Sequence, residues 1–212
     1  MQTQIDPLKD LNAIRQLMER SNKFISLSGL SGVIAGVAAL AGAALAQYKM
    51  HGNPHRGEVQ SIWTPYLLEN LSDYSFFVLD ALIVLIVAIG AGIIPTMARA
   101  RKTKQAIFNP VAYRLAINLF IPVLTGGILC LLLINYSIFG LIAPSMLVFY
   151  GLGLVNASNF TLPDIRYLGY IQILLGLING IFNGHGLVFL AIGFGVMHII
   201  YGLFMYFKYE RS

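Results

Sequence analysis

The stretch LAINLFIPVLTGGILCLLLINYSIFGLIAPSMLVFYGLGLVNASNFTLP, residues 115–163, runs for 49 residues without a charge. A helix needs roughly 20 apolar residues to cross about 30 Å of hydrocarbon, so this run predicts two crossings. Near its middle, Asn135-Tyr136-Ser137-Ile138-Phe139-Gly140 carries the turn chemistry that folds the chain back on itself. Transmembrane strands would be about 10 residues long and strictly alternating, whereas this run is apolar on all sides, which excludes a barrel.

Working outward, 25 uncharged residues separate Lys23 from Lys49, 18 separate Asp80 from Arg99, and 41 separate Arg166 from Lys208. The first two stretches predict one crossing each. The third predicts two, divided at Asn183-Gly184-His185-Gly186. The expected spans are 24–47, 75–98, 115–135, 139–157, 167–182 and 187–207, an all-α integral membrane protein with a single six-span helical bundle over 24–207. Around it the sequence predicts a cytoplasmic amphipathic tail (1–23), an outer loop (49–74), a basic cytoplasmic loop (99–114) and a short cytoplasmic tail (208–212), with no internal repeat and no second domain. With 57% hydrophobic and 11% charged residues, the chain is no ordinary soluble domain, where about 25% of residues are charged.

Charge sets the expected orientation. On the N-terminal side lie Lys9, Arg15, Arg20, Lys23, Arg99, Arg101, Lys102, Lys104, Arg114, Arg166, Lys208 and Arg211, against Lys49 and Arg56 on the other, so both termini are expected in the cytoplasm. The same asymmetry accounts for the net charge of +5 without nucleic acid. The expected partners of the basic loop are anionic lipid headgroups. In the tail, Leu11, Ile14, Leu17 and Met18 recur at helical spacing, which predicts a short helix lying on the leaflet or docking a partner. In the outer loop, Thr64-Pro65 reads as a helix start, with Trp63 and Tyr66 suited to the headgroup layer. The first apolar run exceeds the roughly 7 to 15 residues of a signal sequence and reads as an uncleaved anchor. Cys130 is the single cysteine, so neither a disulfide nor a multi-thiolate metal site is available to the chain.

The residues Phe24-Ile25-Ser26-Leu27-Ser28-Gly29-Leu30-Ser31-Gly32 and Phe194-Gly195-Val196-Met197-His198-Ile199-Ile200-Tyr201-Gly202 resemble an uncharacterised family of Bacteroidota multi-span inner-membrane proteins. The resemblance covers the first and last spans. It implies a bacterial inner membrane and brings no activity with it.

Three polar or small-residue patterns stand out. Ser28, Gly32 and Gly36 recur every four residues in the first span, as do Gly176, Gly180 and Gly184 in the fifth. Such stripes let helix backbones approach, within the bundle or between two copies in a homo-oligomer. If 65–98 is one continuous helix, Glu69, Asp73 and Asp80 share a face. Asp80 then lies inside the span, where a bare carboxylate costs roughly 2.5 to 3.5 kcal/mol. It therefore predicts either a hydrated or hydrogen-bonded carboxyl, or the entry of a cation or proton path. Gly169, Gln172, Gly176, Asn179 and Asn183 line one face of the fifth span. Counting from the turn matches Gln172 in depth with His198 of the sixth, so a mutual hydrogen bond is expected.

Enzyme and cofactor chemistry has little support. A haem between two spans needs paired axial histidines, and His198 is the one histidine well inside a span. His51, His55 and Glu58 have ligand-like spacing, but Gly52 and Pro54 break the helix that would aim them, so neither a metal nor another cofactor is expected. Gly29-Leu30-Ser31-Gly32 with a distant His198 is similar to the serine and histidine motifs of rhomboid intramembrane proteases. The serine stands in the first span instead of the fourth, and the tetrapeptide also fits the small-residue stripe. The sequence thus favours a non-enzymatic inner-membrane protein, an accessory, sensory or scaffolding subunit with a membrane partner. The alternative is a small transporter or channel with a polar path through Asp80, Gln172 and His198.

Overall fold

The structure, a computed structural model, describes residues 29–51, 71–102, 110–182 and 184–211. Within these residues the chain is helical and contains no strand. The helices are α1 (Gly29–His51), α2 (Leu71–Lys102), α3 (Pro110–Asn135), α4 (Ile142–Ala157), α5 (Ile165–Ile181) and α6 (Gly186–Tyr209). A single 3₁₀ turn, Phe139–Leu141, leads into α4. The last helix is not uniform: Gly186–Leu190 and His198–Tyr209 are α-helical, and Ala191–Met197 between them winds as a wider π-helix.

Both helical hairpins form where turn residues interrupt the apolar runs. Ser137 takes φ 58° after α3, and Gly184 takes φ 101° before α6. At Gly184 a side chain would strain the left-handed backbone, which explains the glycine there. Gly184 consequently belongs to the turn and drops out of the packing stripe expected from its spacing, because α5 already ends at Ile181.

Among the described residues, five helices are long and apolar enough to cross a membrane. The exception is α5, whose 17 residues rise about 25 Å, short of the roughly 30 Å of hydrocarbon. The helices also outrun the expected spans: α1 continues to His51, α2 fills Leu71–Lys102, and α6 reaches Tyr209. Charges mark where the hydrocarbon ends, but backbone hydrogen bonding continues through the headgroup layer, so the segments assigned to loops 49–74 and 99–114 and to the tail 208–212 are partly helical. The amphipathic tail at 1–23, Ser28, the Trp63 to Tyr66 segment, Glu69 and Asn183 lie outside the described residues.

In space the order runs α2, α1, α6, then the α4–α5 pair, then α3. Glycines set the closest approaches, because lipid supplies no hydrophobic drive for helices to associate and close packing has to do so. A Cβ on Gly32 would lie 3.1 Å from the Gly202 Cα, and one on Gly36 would meet the Gly195 carbonyl at 2.6 Å, so α1 and α6 run antiparallel with backbones nearly touching. In the same way Gly151 and Gly169 face each other's carbonyls at 2.6 and 2.8 Å, and Gly176 meets the Pro144 carbonyl at 2.9 Å, joining α4 to α5. The Gly32–Gly36 stripe and Gly176 are therefore spent inside one chain. Gly180 is exposed, with the Pro144 Cβ as its nearest neighbour at 3.8 Å.

The core lies along the Phe139–Ala157 span that contains α4, of which 44% is buried. Leu154, Ile165 and Leu168 form one cluster there with Tyr150, Met197 and Tyr201 packed around it, and Cys130, Phe139 and Ile142 form another. Cys130 is an apolar packing residue with only a 3.8 Å contact from Sγ to the Ile142 carbonyl.

One end of the bundle is tied by polar contacts. The Gly29 N–H donates to Glu210 Oε1 at 2.6 Å, and the Lys208 ammonium and Tyr209 hydroxyl donate to Asp164 Oδ2 at 2.7 and 2.8 Å. The start of α1, the start of α5 and the end of α6 thus share one end.

Candidate functional site

The polar groups inside the bundle gather where α6 widens. Its π-helical turn presents the Gly193 carbonyl sideways to its neighbours, an arrangement often found at functional positions in helices. Gln172 of α5 donates from Nε2 to this carbonyl at 2.7 Å. His198, one turn further along α6, reaches back to the same oxygen through Nδ1 at 3.0 Å, as a helical side chain leaning toward its own N-terminus does. From α4, the Tyr150 hydroxyl lies 2.7 Å from His198 Nε2.

These contacts assign the protons. A carbonyl can only accept, so His198 carries its hydrogen on Nδ1, and the neutral ring offers Nε2 as acceptor to the Tyr150 O–H. Tyr150 also packs edge-on to Phe194, with ring centroids 5.1 Å apart. One imidazole therefore links α4 to α6, and one carbonyl links α6 to α5.

Gln172 and His198 come together as the sequence leads one to expect, but the direct hydrogen bond between them is replaced by a shared acceptor. The physical reason is the π-helical turn: it supplies a carbonyl between the two side chains that a uniform α-helix keeps for its own ladder. Gly193 is also the residue that makes room, since a Cβ there would sit 2.6 Å from Gln172 Oε1 and from Leu147 Cδ2.

Three buried polar atoms along the bundle have no hydrogen-bond partner among the described residues: Gln172 Oε1, Asn179 Nδ2 and the Tyr201 hydroxyl. Each such group costs about 1 to 3 kcal/mol unless water or a ligand meets it. Gln172 is 0% and Asn179 1% exposed, both on the face of α5 turned to α6 and α4.

Asp80 stands elsewhere. It is half-buried on α2 against α1, where a Cβ added to Gly42 would lie 3.4 Å from both of its carboxylate oxygens. Gly36, which meets α6, and Gly42 are six residues apart, about 120° around the helix, so α1 stands between Asp80 and His198. Asp73 lies on α2 in the first turns of that helix. Ser31 is buried, but both ring nitrogens of His198 are engaged by Gly193 and Tyr150, which leaves none to activate a serine. Among the described residues no group of three metal-ligating side chains occurs.

Tyr150 and Gly193 were not evident from sequence. Tyr150 carried a signal, being the one titratable residue of the fourth span. Gly193 carried none, because it acts through its backbone.

At the tied end, burial alone would raise the Asp164 carboxyl, but the hydrogen bonds from Lys208 and Tyr209 and the Lys208 charge outweigh it and hold Asp164 below the ordinary carboxylate range. No family model, curated protein or solved structure matches this chain.

Proposed function

We propose that this is a non-enzymatic, six-span protein of a bacterial inner membrane with both termini cytoplasmic, acting as an accessory or sensory subunit that holds a partner membrane helix on its α2 flank. The supporting observation is a contrast among glycines. Gly29, Gly32, Gly36, Gly151, Gly169, Gly176 and Gly202 each abut a neighbouring backbone, whereas a Cβ on Gly90 or Gly92 of α2, or on Gly127 of α3, would meet nothing within 4 Å, and among the described residues α2 alone carries two such glycines. A lipid-facing position gains nothing from glycine, while a helix-facing one gains close approach.

Further features of α2 point the same way. Only 6% of its span is buried, and it packs chiefly along α1. Pro95 has no N–H, so the Ala91 carbonyl lacks its usual donor. Ala91 and Pro95, with Ile34, Val87, Gly90 and Ile94, line an open apolar groove of about 350 Å³ between α1 and α2. A partner helix bearing a hydroxyl or amide would fill the groove and satisfy that carbonyl. The separation of Asp80 from Gln172 and His198 by α1 weighs against a continuous polar path.

A photo-crosslinking residue at Ile94 tests the reading in intact cells. It should yield one discrete protein adduct, and the same residue at Tyr170, an exposed position on α5, should yield lipid adducts only. Lipid adducts alone at Ile94 would overturn the proposal.

A further inference from the structure

We infer that His198 is a proton-binding site reached from the end of the bundle that carries Asp164, through Tyr201 and Tyr150. This goes beyond the partner-holding role and does not rest on it.

The path is built on consecutive turns. Lys208 and Tyr201 lie seven residues apart on one face of α6, and His198 lies one turn further in. At the outer end of this stripe, Asp164 accepts from Lys208 and Tyr209. Tyr201 and Tyr150 both pack on the Leu154–Ile165–Leu168 cluster, whose Ile165 follows Asp164 in the chain. At the inner end, the Tyr150 hydroxyl donates to His198 Nε2.

The Tyr201 hydroxyl is the telling atom. It is buried and unpartnered among the described residues, on a side chain that packs against the same cluster as Tyr150. A hydroxyl in an apolar span with nothing to bond is a cost a phenylalanine would avoid, and one or two waters linking it to its neighbours remove that cost.

No other described group competes for the proton. From α1, no titratable residue occurs between Gly29 and Gln47; from α4, Tyr150 is the sole one; from α5, the titratable side chains Arg166, Tyr167 and Tyr170 are exposed. The step balances simply. Tyr150 passes its hydroxyl proton to Nε2, and water takes up the vacancy by passing a proton along from Tyr201. A proton from bulk solution refills the outer end, and the ring becomes imidazolium while keeping Nδ1–H on Gly193.

The test uses the full chain, ¹⁵N-labelled at histidine, in proteoliposomes of one protein orientation with an imposed pH difference. His198→Gln identifies the His198 resonances. Acidifying the Asp164 side should convert the ring from the neutral Nδ1–H form to imidazolium, and acidifying only the opposite side should not. Tyr201→Phe should lose the response within the lifetime of the gradient while keeping the wild-type His198 resonances at neutral pH, which shows that the variant is folded. A ring indifferent to acid on either side, one that responds from the opposite side, or a Tyr201→Phe protein that responds like wild type would each overturn the inference. The first two outcomes are read on the wild-type chain and need no variant to fold.

Discussion

Tyr150 and His198, 48 residues apart in sequence, are joined by a 2.7 Å hydrogen bond that makes one imidazole the link between α4 and α6. Because the ring's other nitrogen is held on the Gly193 carbonyl, Tyr150 must be the donor. Tyr150→Phe therefore leaves Nε2 buried and unpaired, which should destabilise the solubilised protein by about 1 to 3 kcal/mol. A double-mutant cycle with His198→Gln should show coupling of about 0.6 to 1.7 kcal/mol in unfolding titrations. Zero coupling would show that the two side chains are merely neighbours.

Gly193 owes its identity to space. Gly193→Ala puts a methyl 2.6 Å from Gln172 Oε1 and Leu147 Cδ2, and overpacking of this kind costs about 1 to 3 kcal/mol. Shortening the obstructing side chain in Gln172→Ala/Gly193→Ala should recover part of that loss. Strict additivity of the two effects would place the clash elsewhere.

Glycines packed on a neighbouring helix of the chain and glycines left open on the α2 flank should separate cleanly. A Cβ on Gly202 would meet the Gly29 carbonyl and the Val33 nitrogen at 2.6 Å, both rigid backbone atoms, so Gly202→Ala should loosen α1 from α6 and lower the midpoint of thermal unfolding. Gly90→Ala meets no atom and exchanges glycine for a better helix former, so the isolated protein should be as stable or more stable. The larger Gly90→Leu should also leave the isolated chain folded while suppressing the Ile94 adduct in cells.

Asp164 supplies a pH dependence of known sign. Its folded-state carboxyl titrates below the ordinary range, so its stabilising contribution is fully present above the ordinary carboxylate pKa and is lost as pH falls through the folded value. In Asp164→Asn, the fall in unfolding midpoint between neutral pH and about pH 3 should be shallower than in wild type. Parallel curves would mean that the contacts to Lys208 and Tyr209 add nothing in solution.

The proposed orientation rests on twelve Lys and Arg residues against two. Alkaline phosphatase fused after Lys104 should be silent, and the same enzyme fused after Gly57 should be active. Activity at Lys104 would reverse the assignment of both termini.

The helices and their turns could be read from sequence because each is a local matter. An uncharged run of membrane length has to satisfy its own backbone hydrogen bonds, and Asn135 to Gly140 and Gly184 interrupt those runs with residues suited to turns. The stripe of Gly32 and Gly36 likewise announced a close helix contact, although nothing in its spacing named α6 as the neighbour. The meeting of Gln172 and His198 on one carbonyl, with Tyr150 on the far nitrogen of the imidazole, is different in kind. It depends on the π-helical winding of Ala191–Met197, on which helix lies beside which, and on a main-chain oxygen that has no letter in the sequence. Asp80 makes the same point in reverse: its carboxyl inside a span was plain, but only the position of α1 between α2 and α6 separates it from His198. Burial and backbone satisfaction act along the chain and are written in composition. Partner choice acts across the bundle, where packing of whole helices decides which polar groups meet.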